Sequence, residues 1–270
     1  ELAGCSVTTG KDNVFMGKYA GCSNTTANFN TIIGVSAGQK TTIGGYNTFI
    51  GRFAGRCNTE GTDNVFIGKS AGCKNTTGRN NFYVGDGAGT QGTTGCYNNF
   101  FGQNAGNANT TGCHNTLIGN RAGQRFTGSN NVAIGNSALR GQNSQSTGVH
   151  NIAIGAEAGC AITTGTDNVF LGRCSGRKAT SAKGNFFVGR DNANDTAFTG
   201  NYNNGLGRRA GMCLTTGAYN NLFGQSAGRN LLTACHNNFL GLNAGCVNET
   251  GSYNNFFGAN AGRYFTSSNN

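Results

Sequence analysis

Three segments place a serine between two glycines at the spacing of a hydrolase nucleophile elbow: Gly34-Val35-Ser36-Ala37-Gly38, Gly68-Lys69-Ser70-Ala71-Gly72 and Gly224-Gln225-Ser226-Ala227-Gly228. In that motif a sharp strand-to-helix turn exposes a hydroxyl for acyl transfer. Here the same slot is filled by Tyr19, Phe53, Asn104 or Arg121 in otherwise similar segments, so the spacing belongs to the glycines and not to a nucleophile. Gly87-x-Gly89-x-x-Gly92 has the dinucleotide-binding spacing without the strand-helix context that motif needs, and Gly68-Lys69-Ser70 lacks the first glycine of a phosphate-binding loop. The ten carboxylates are scattered with no pair placed for acid-base work, and no calcium-binding nonapeptide occurs. His114, His150 and His236 fall where equivalent segments carry Tyr46, Tyr97, Tyr219 and Tyr253, which predicts a pile of rings and not a metal site. No enzyme active site and no cofactor are expected.

The glycines belong to a repeat. The phrase Asn-x-φ-φ-Gly (φ, apolar) opens at Asn13, Asn30, Asn47, Asn64, Asn81, Asn98, Asn115, Asn131, Asn151, Asn168, Asn185, Asn203, Asn220, Asn237 and Asn254, and Asn270 begins a further, truncated copy. Most intervals are 17 residues, the exceptions being 16, 20, 18 and a final 16. A fixed period of this size means one stacking unit per copy. The predicted architecture is an all-β parallel solenoid, a β-roll or β-helix of about 17 residues per coil, continuous over residues 1–270.

Numbering the phrase's Asn as repeat position 1, the clearest copy is NVFIGKSAGCKNTTGRN, Asn64 to Asn80. Positions 1 to 4 are β-prone and end at a Gly suited to a corner. Ala-Gly at positions 8 and 9 marks a second bend, and Thr-Thr-Gly a third whose hydroxyls can bond local backbone. Two short strands per coil are expected. Position 4 (Met16, Ile33, Ile50, Ile67, Val84, Phe101) is apolar throughout and is placed inside, so position 3 must face out. Position 3 is mostly aromatic: Phe15, Phe49, Phe66, Tyr83, Phe100, Phe170, Phe187, Phe239 and Phe256. An exposed stripe of that size calls for cover, with another copy of the chain as the expected partner.

Forty-seven Gly and no Pro would fit low complexity, but the apolar positions recur strictly and 18 Phe mark a folding chain. The net charge of +10 includes Lys18, Arg52, Lys69, Arg173, Arg190 and Arg208 at position 6, an interrupted basic stripe. A solvated ridge that discourages lateral aggregation is the expected role; attraction of cell-surface glycans is the alternative. No aromatic interleaving points to specific nucleic-acid binding. Eleven Cys without a CxxC pair argue for an oxidising compartment. Cys5 with Cys22 and Cys96 with Cys113 are 17 residues apart, and Cys57 with Cys73 is 16 apart, so rung-to-rung disulfides are expected. Sequons at Asn24, Asn75, Asn109, Asn194 and Asn248 would allow glycosylation. No apolar run long enough to span a membrane is present. The chain enters in mid-repeat at Glu1 and stops where a strand should start, so its ends are expected to join further chain or another copy.

The phrase Asn-x-φ-φ-Gly-x-x-Ala-Gly-x-x-Asn-Thr-Thr-Gly, read at Asn64 to Gly78 and with one substitution at Asn98 to Gly112, resembles the repeats of bacterial and phage fibre proteins. It is similar in pattern to the shorter repeat of trimeric autotransporter adhesin heads. The resemblance covers nearly the whole chain and implies a left-handed coil and an extracellular or cell-surface setting; the frequent Cys and Phe depart from the usual pattern. The expected function is a structural, self-assembling fibre or appendage segment. The alternatives are an adhesin or tail-fibre binding module, with contacts at Gly141–Gly148 and Asp191–Thr199, and an ice-binding array of stacked Thr.

Overall fold

The computed structural model describes residues 2–142, 146–195, 197–265 and 267. Parts of the two irregular stretches, Gly141–Gly148 and Asp191–Thr199, together with Glu1 and Asn270, lie outside the described residues. The chain forms two compact units, one running to Asn131 and one starting at Val132. In the first, β1 (Val14–Met16), β2 (Thr31–Ile33), β3 (Thr48–Ile50), β4 (Val65–Ile67), β5 (Phe82–Val84), β6 (Asn99–Phe101) and β7 (Thr116–Ile118) form a parallel ladder in chain order. In the second, β8 (Val132–Ile134), β9 (Ile152–Ile154), β10 (Val169–Leu171), β11 (Phe186–Val188), β12 (Asn204–Leu206), β13 (Asn221–Phe223), β14 (Asn238–Leu240) and β15 (Asn255–Phe257) do the same. Each strand pairs with the one a coil ahead, as Phe49 with Phe66 and Phe66 with Tyr83, so the fold is a parallel β-solenoid of about 17 residues per turn.

Among the described residues each coil has one strand of three residues where two were expected, with isolated bridges as at Thr166–Lys183 and Ala179–Phe198. The rest of the turn is held by backbone bonds from coil to coil. The Thr76 carbonyl, for example, accepts from the N–H groups of Thr59, Glu60 and Gly61 at 3.0, 3.1 and 3.1 Å. Position 5 is glycine because its backbone requires it: Gly68 has φ +129°, and a Cβ there would stand 2.5 Å from the Gly85 carbonyl oxygen.

The repeat's Asn holds the coils in register from inside. Asn64 is fully buried, donates from its backbone N–H and Nδ2 to Asn47 Oδ1 at 3.0 and 3.2 Å, and donates from Nδ2 to the Gly78 carbonyl at 2.8 Å. Its own Oδ1 accepts from the Asn81 N–H at 3.1 Å. One amide thus satisfies backbone groups on both sides of a corner that no strand partner reaches.

The facing of the strand is the reverse of the sequence expectation. Phe49, Phe66, Tyr83, Phe100, Phe170, Phe187, Phe239 and Phe256 are buried, Phe15 is half-buried, and the position 4 side chains point outward. The cause is volume. Position 3 lies across the coil from Ala-Gly, and a Cβ on Gly72 would sit 2.5 Å from the Phe66 ring, so the ring occupies the space the small residues leave. Placed there, the rings stack: Phe49–Phe66, Phe66–Tyr83 and Tyr83–Phe100 centroids are 5.0, 4.8 and 4.6 Å apart. Burial pushes the Tyr83 phenol well above the usual tyrosine range.

Position 12 completes the core by compensation. Phe49, Phe66 and Phe170 share their coils with Asn58, Asn75 and Ala179, whereas Leu117, Ala153, Gly205 and Leu222 share theirs with Phe126, Ile162, Leu214 and Leu231. A large residue at one position answers a smaller one at the other, which keeps the coil interior filled.

Candidate self-association face

With position 3 turned inward, the outer face of each sheet is made by positions 2 and 4. Met16, Ile50, Ile118, Ile154, Leu206, Phe223 and Phe257 are exposed along the position 4 row, Met16 by 61% and Phe257 by 66%. Ile33, Ile67 and Leu240 stand in the same row, half-buried by their neighbours. Beside it, position 2 adds Val14 and Phe82 in the first unit and Ile152 and Phe186 in the second, all exposed. From β12 onward position 2 becomes an amide ladder: Asn204, Asn221 and Asn238 donate from Nδ2 to Oδ1 of the next Asn at 2.8, 2.7 and 2.7 Å. The result in each unit is a row of exposed apolar side chains, larger than isolated surface hydrophobics would make. The sequence reading found the two apolar rows but exchanged their faces.

The expected disulfides are absent: all eleven cysteines are free thiols. Cys5 donates from Sγ to the Cys22 carbonyl at 3.4 Å, and Cys113 Sγ accepts from the Cys96 N–H at 3.1 Å. In-register neighbours hold their Cα–Cβ bonds parallel, so their Cβ atoms stand about 4.8 Å apart, beyond the roughly 3.5–4.5 Å that a disulfide spans. Cys57 and Cys73 miss for a second reason, since Cys57 is at position 11 and Cys73 at position 10. Burial raises the Cys73, Cys160, Cys174 and Cys213 thiols, and the contact with Cys5 raises Cys22.

The other side chains singled out in the sequence can be placed. Lys18, Arg52, Lys69, Arg173, Arg190 and Arg208 are exposed at corners, and several spend their charge locally. Arg52 lies over the Phe53 ring at 4.5 Å, Lys69 is 3.7 Å from Asp86 and Arg190 is 3.0 Å from Asp191. Such exposed pairs contribute little to stability. The predicted ring pile is present at two of the three histidines: Tyr219–His236 and His236–Tyr253 centroids are 5.0 and 4.9 Å apart, and Tyr97–His114 is 5.1 Å, whereas His150 Nδ1 stands 3.6 Å from Asp167 Oδ1. Ser36, Ser70 and Ser226 occupy αL corners with φ between 54° and 59°. At repeat position 13 a Thr donates its hydroxyl to the carbonyl of the equivalent residue one coil on, as Thr42 to Thr59, Thr59 to Thr76 and Thr76 to Thr93 at 3.1, 3.2 and 3.1 Å, which turns those donors inward. Asn24, Asn75, Asn109 and Asn248 are buried inside the coil, so these sequons are closed to a glycosyl donor in the folded chain. Among the described residues no group of three or more His, Cys, Asp or Glu could hold a metal ion, and no helix is long and apolar enough to cross a membrane. No protein-family profile matches the sequence, and no characterised protein or solved structure matches it significantly.

Proposed function

We propose that this chain is a structural, non-enzymatic solenoid that associates with further copies of itself through the outer sheet face, as a segment of an extracellular fibre or surface appendage. The observation that carries this reading is the exposed position 4 row of each unit, Met16, Ile50 and Ile118 in the first and Ile154, Leu206, Phe223 and Phe257 in the second. An in-register parallel array repeats its side chains at the rung spacing of about 4.8 Å, and a surface with the same spacing interdigitates with it best. A second copy of this chain is such a surface. The αL corners and exposed position 6 cations border the face and leave the sheet as its smooth, dry part.

The test is the variant Ile50→Lys/Ile118→Lys/Leu206→Lys/Phe223→Lys, followed by sedimentation velocity. All four side chains already face water, so the thermal midpoint should stay within a few degrees of wild type. Wild type should sediment as oligomers at tens of micromolar and the variant as a monomer. A monomeric wild type, or a variant that assembles as before, would overturn the reading.

A further inference from the structure

The second unit contains a recess that the regular repeat does not predict. Around the coil that opens at Asn131, position 9 is Leu139, with φ 45° and no exposed surface, where the other copies have Gly apart from Ala193. Its side chain fills the interior left by Ala133 and Ala153, both fully buried. The next residue, Arg140, then emerges at position 10. One coil on, position 10 is Cys160, and one further it is Arg177. The backbone bond from the Leu139 N–H to the Ala158 carbonyl, 3.0 Å, and that from Ala161 N–H to the Arg177 carbonyl, 3.2 Å, fix the stacking order. Two guanidinium groups therefore rise from coils two rungs apart, about 9.6 Å at a rung spacing of 4.8 Å. The rung between them carries only Cys160 and Ala161.

That missing bulk opens a cavity of about 110 Å³ lined by Arg140, Gln142, Cys160, Ala161, Arg177 and Lys178. A single water needs about 10–15 Å³ by the same measure, so several water-sized groups fit. The charge balance is one-sided. Arg140, Arg177 and Lys178 are cationic, and Lys178 makes no ion pair among the described residues. One carboxylate stands beside them: Glu157 Oε2 lies 2.8 Å from Arg177 Nε. The Arg140 Nε is buried without a hydrogen-bond partner among the described residues, as are those of Arg209, Arg229 and Arg263. The Cys160 thiol donates to the Arg177 carbonyl at 3.6 Å, and burial favours its neutral form, so it adds no negative charge.

We infer that this recess is an anion site that takes one tetrahedral oxyanion, a phosphate or sulfate group, between the Arg140 and Arg177 guanidinium groups with Lys178 at the rim. Guanidinium forks match such oxygens two at a time, and a pocket between two of them selects an anion over a neutral guest. The site is independent of the apolar sheet face, because it lies on the position 10 and 11 side of the coil.

Equilibrium dialysis with radiolabelled inorganic phosphate, and separately with sulfate, tests it. Saturable binding of one anion per chain is expected for at least one of the two, and which of them binds identifies the preferred group. Arg140→Gln/Lys178→Gln should weaken binding at least tenfold, and Glu157→Gln should strengthen it severalfold by freeing Arg177. Cys160→Arg separates a site from general attraction to a chain of net charge +10. It adds a cation yet fills the gap, and the fold accepts it, since Arg56, Arg177, Arg229 and Arg263 occupy the same repeat position. Loss of binding in Cys160→Arg supports the site. Binding that is non-saturable, or unchanged or tighter in Cys160→Arg, would overturn it.

Discussion

The two neighbours Phe66 and Ile67 are both large apolar residues in the sequence, and they face opposite ways in the fold. Phe66 is fully buried between Phe49 and Tyr83 and against Gly72, while Ile67 looks outward beside Ile50 and Val84. Replacing Phe66 with Ala removes a ring from a close-packed stack and leaves a cavity that the short backbone bonds of the coil keep open, so it should cost about 3–5 kcal/mol. Ile67→Ser gives up only the part of the side chain that its neighbours cover and should cost about 1 kcal/mol. Urea unfolding followed by far-ultraviolet circular dichroism distinguishes the two; equal losses, or the larger loss at Ile67, would refute the assigned facing. Asn64 shows the same contrast between type and role. Although it is polar and heads an apolar phrase, its amide is interior and ties three coils together.

At the scale of one coil, the period and the strand positions were legible because a single phrase recurs with fixed spacing, and every strand falls on positions 2 to 4 of that phrase. The facing was not legible from alternation, since positions 3 and 4 are both apolar and a strand of three residues has no longer pattern to break the tie. The information lay elsewhere in the coil. Ala-Gly at positions 8 and 9 leaves room for a ring, and position 12 grows as position 3 shrinks, from Phe170 with Ala179 to Ala153 with Ile162. The disulfide expectation failed at this scale as well, because the correct rung spacing was taken for a correct Cβ geometry. The recess at Cys160 could have been found by aligning position 10 and noticing a small residue between two arginines. Compensation between positions 3 and 12 makes a quantitative forecast. A Cβ at Gly228 would meet both Leu231 and Leu222, at 2.6 and 2.7 Å, so these two leucines share one space. Leu222→Phe alone overfills it and should cost about 1–3 kcal/mol. Adding Leu231→Ala, which copies the Phe170–Ala179 pair, should recover most of that loss. Additive destabilisation in the double variant would show that the two positions do not share a volume.

For the molecule as a whole, the coils are interchangeable bricks, and stability is a sum over coils and the interfaces between neighbours. Each coil of the first unit bonds only to the coils on either side: Asn64 takes its acceptor from Asn47 and gives its own to Asn81, and Phe66 stacks on Phe49 and Tyr83. Excising residues 64–80 joins Asp63 to Asn81 and brings Asn47 beneath Asn81 and Phe49 beneath Tyr83, so each old partner is replaced by its like. The shortened chain loses 17 of 270 residues, about 6%, and its calorimetric unfolding enthalpy should fall by a similar fraction, since that enthalpy scales with residue number. Its midpoint should move by only a few degrees. Removing residues 64–71 takes out about half a coil, sets Asp63 against Gly72 and leaves the amide and ring ladders with a gap; the first unit should then lose its cooperative transition. If both deletions behave alike, the coil is not the unit of this fold and the interior ladders do not set its register.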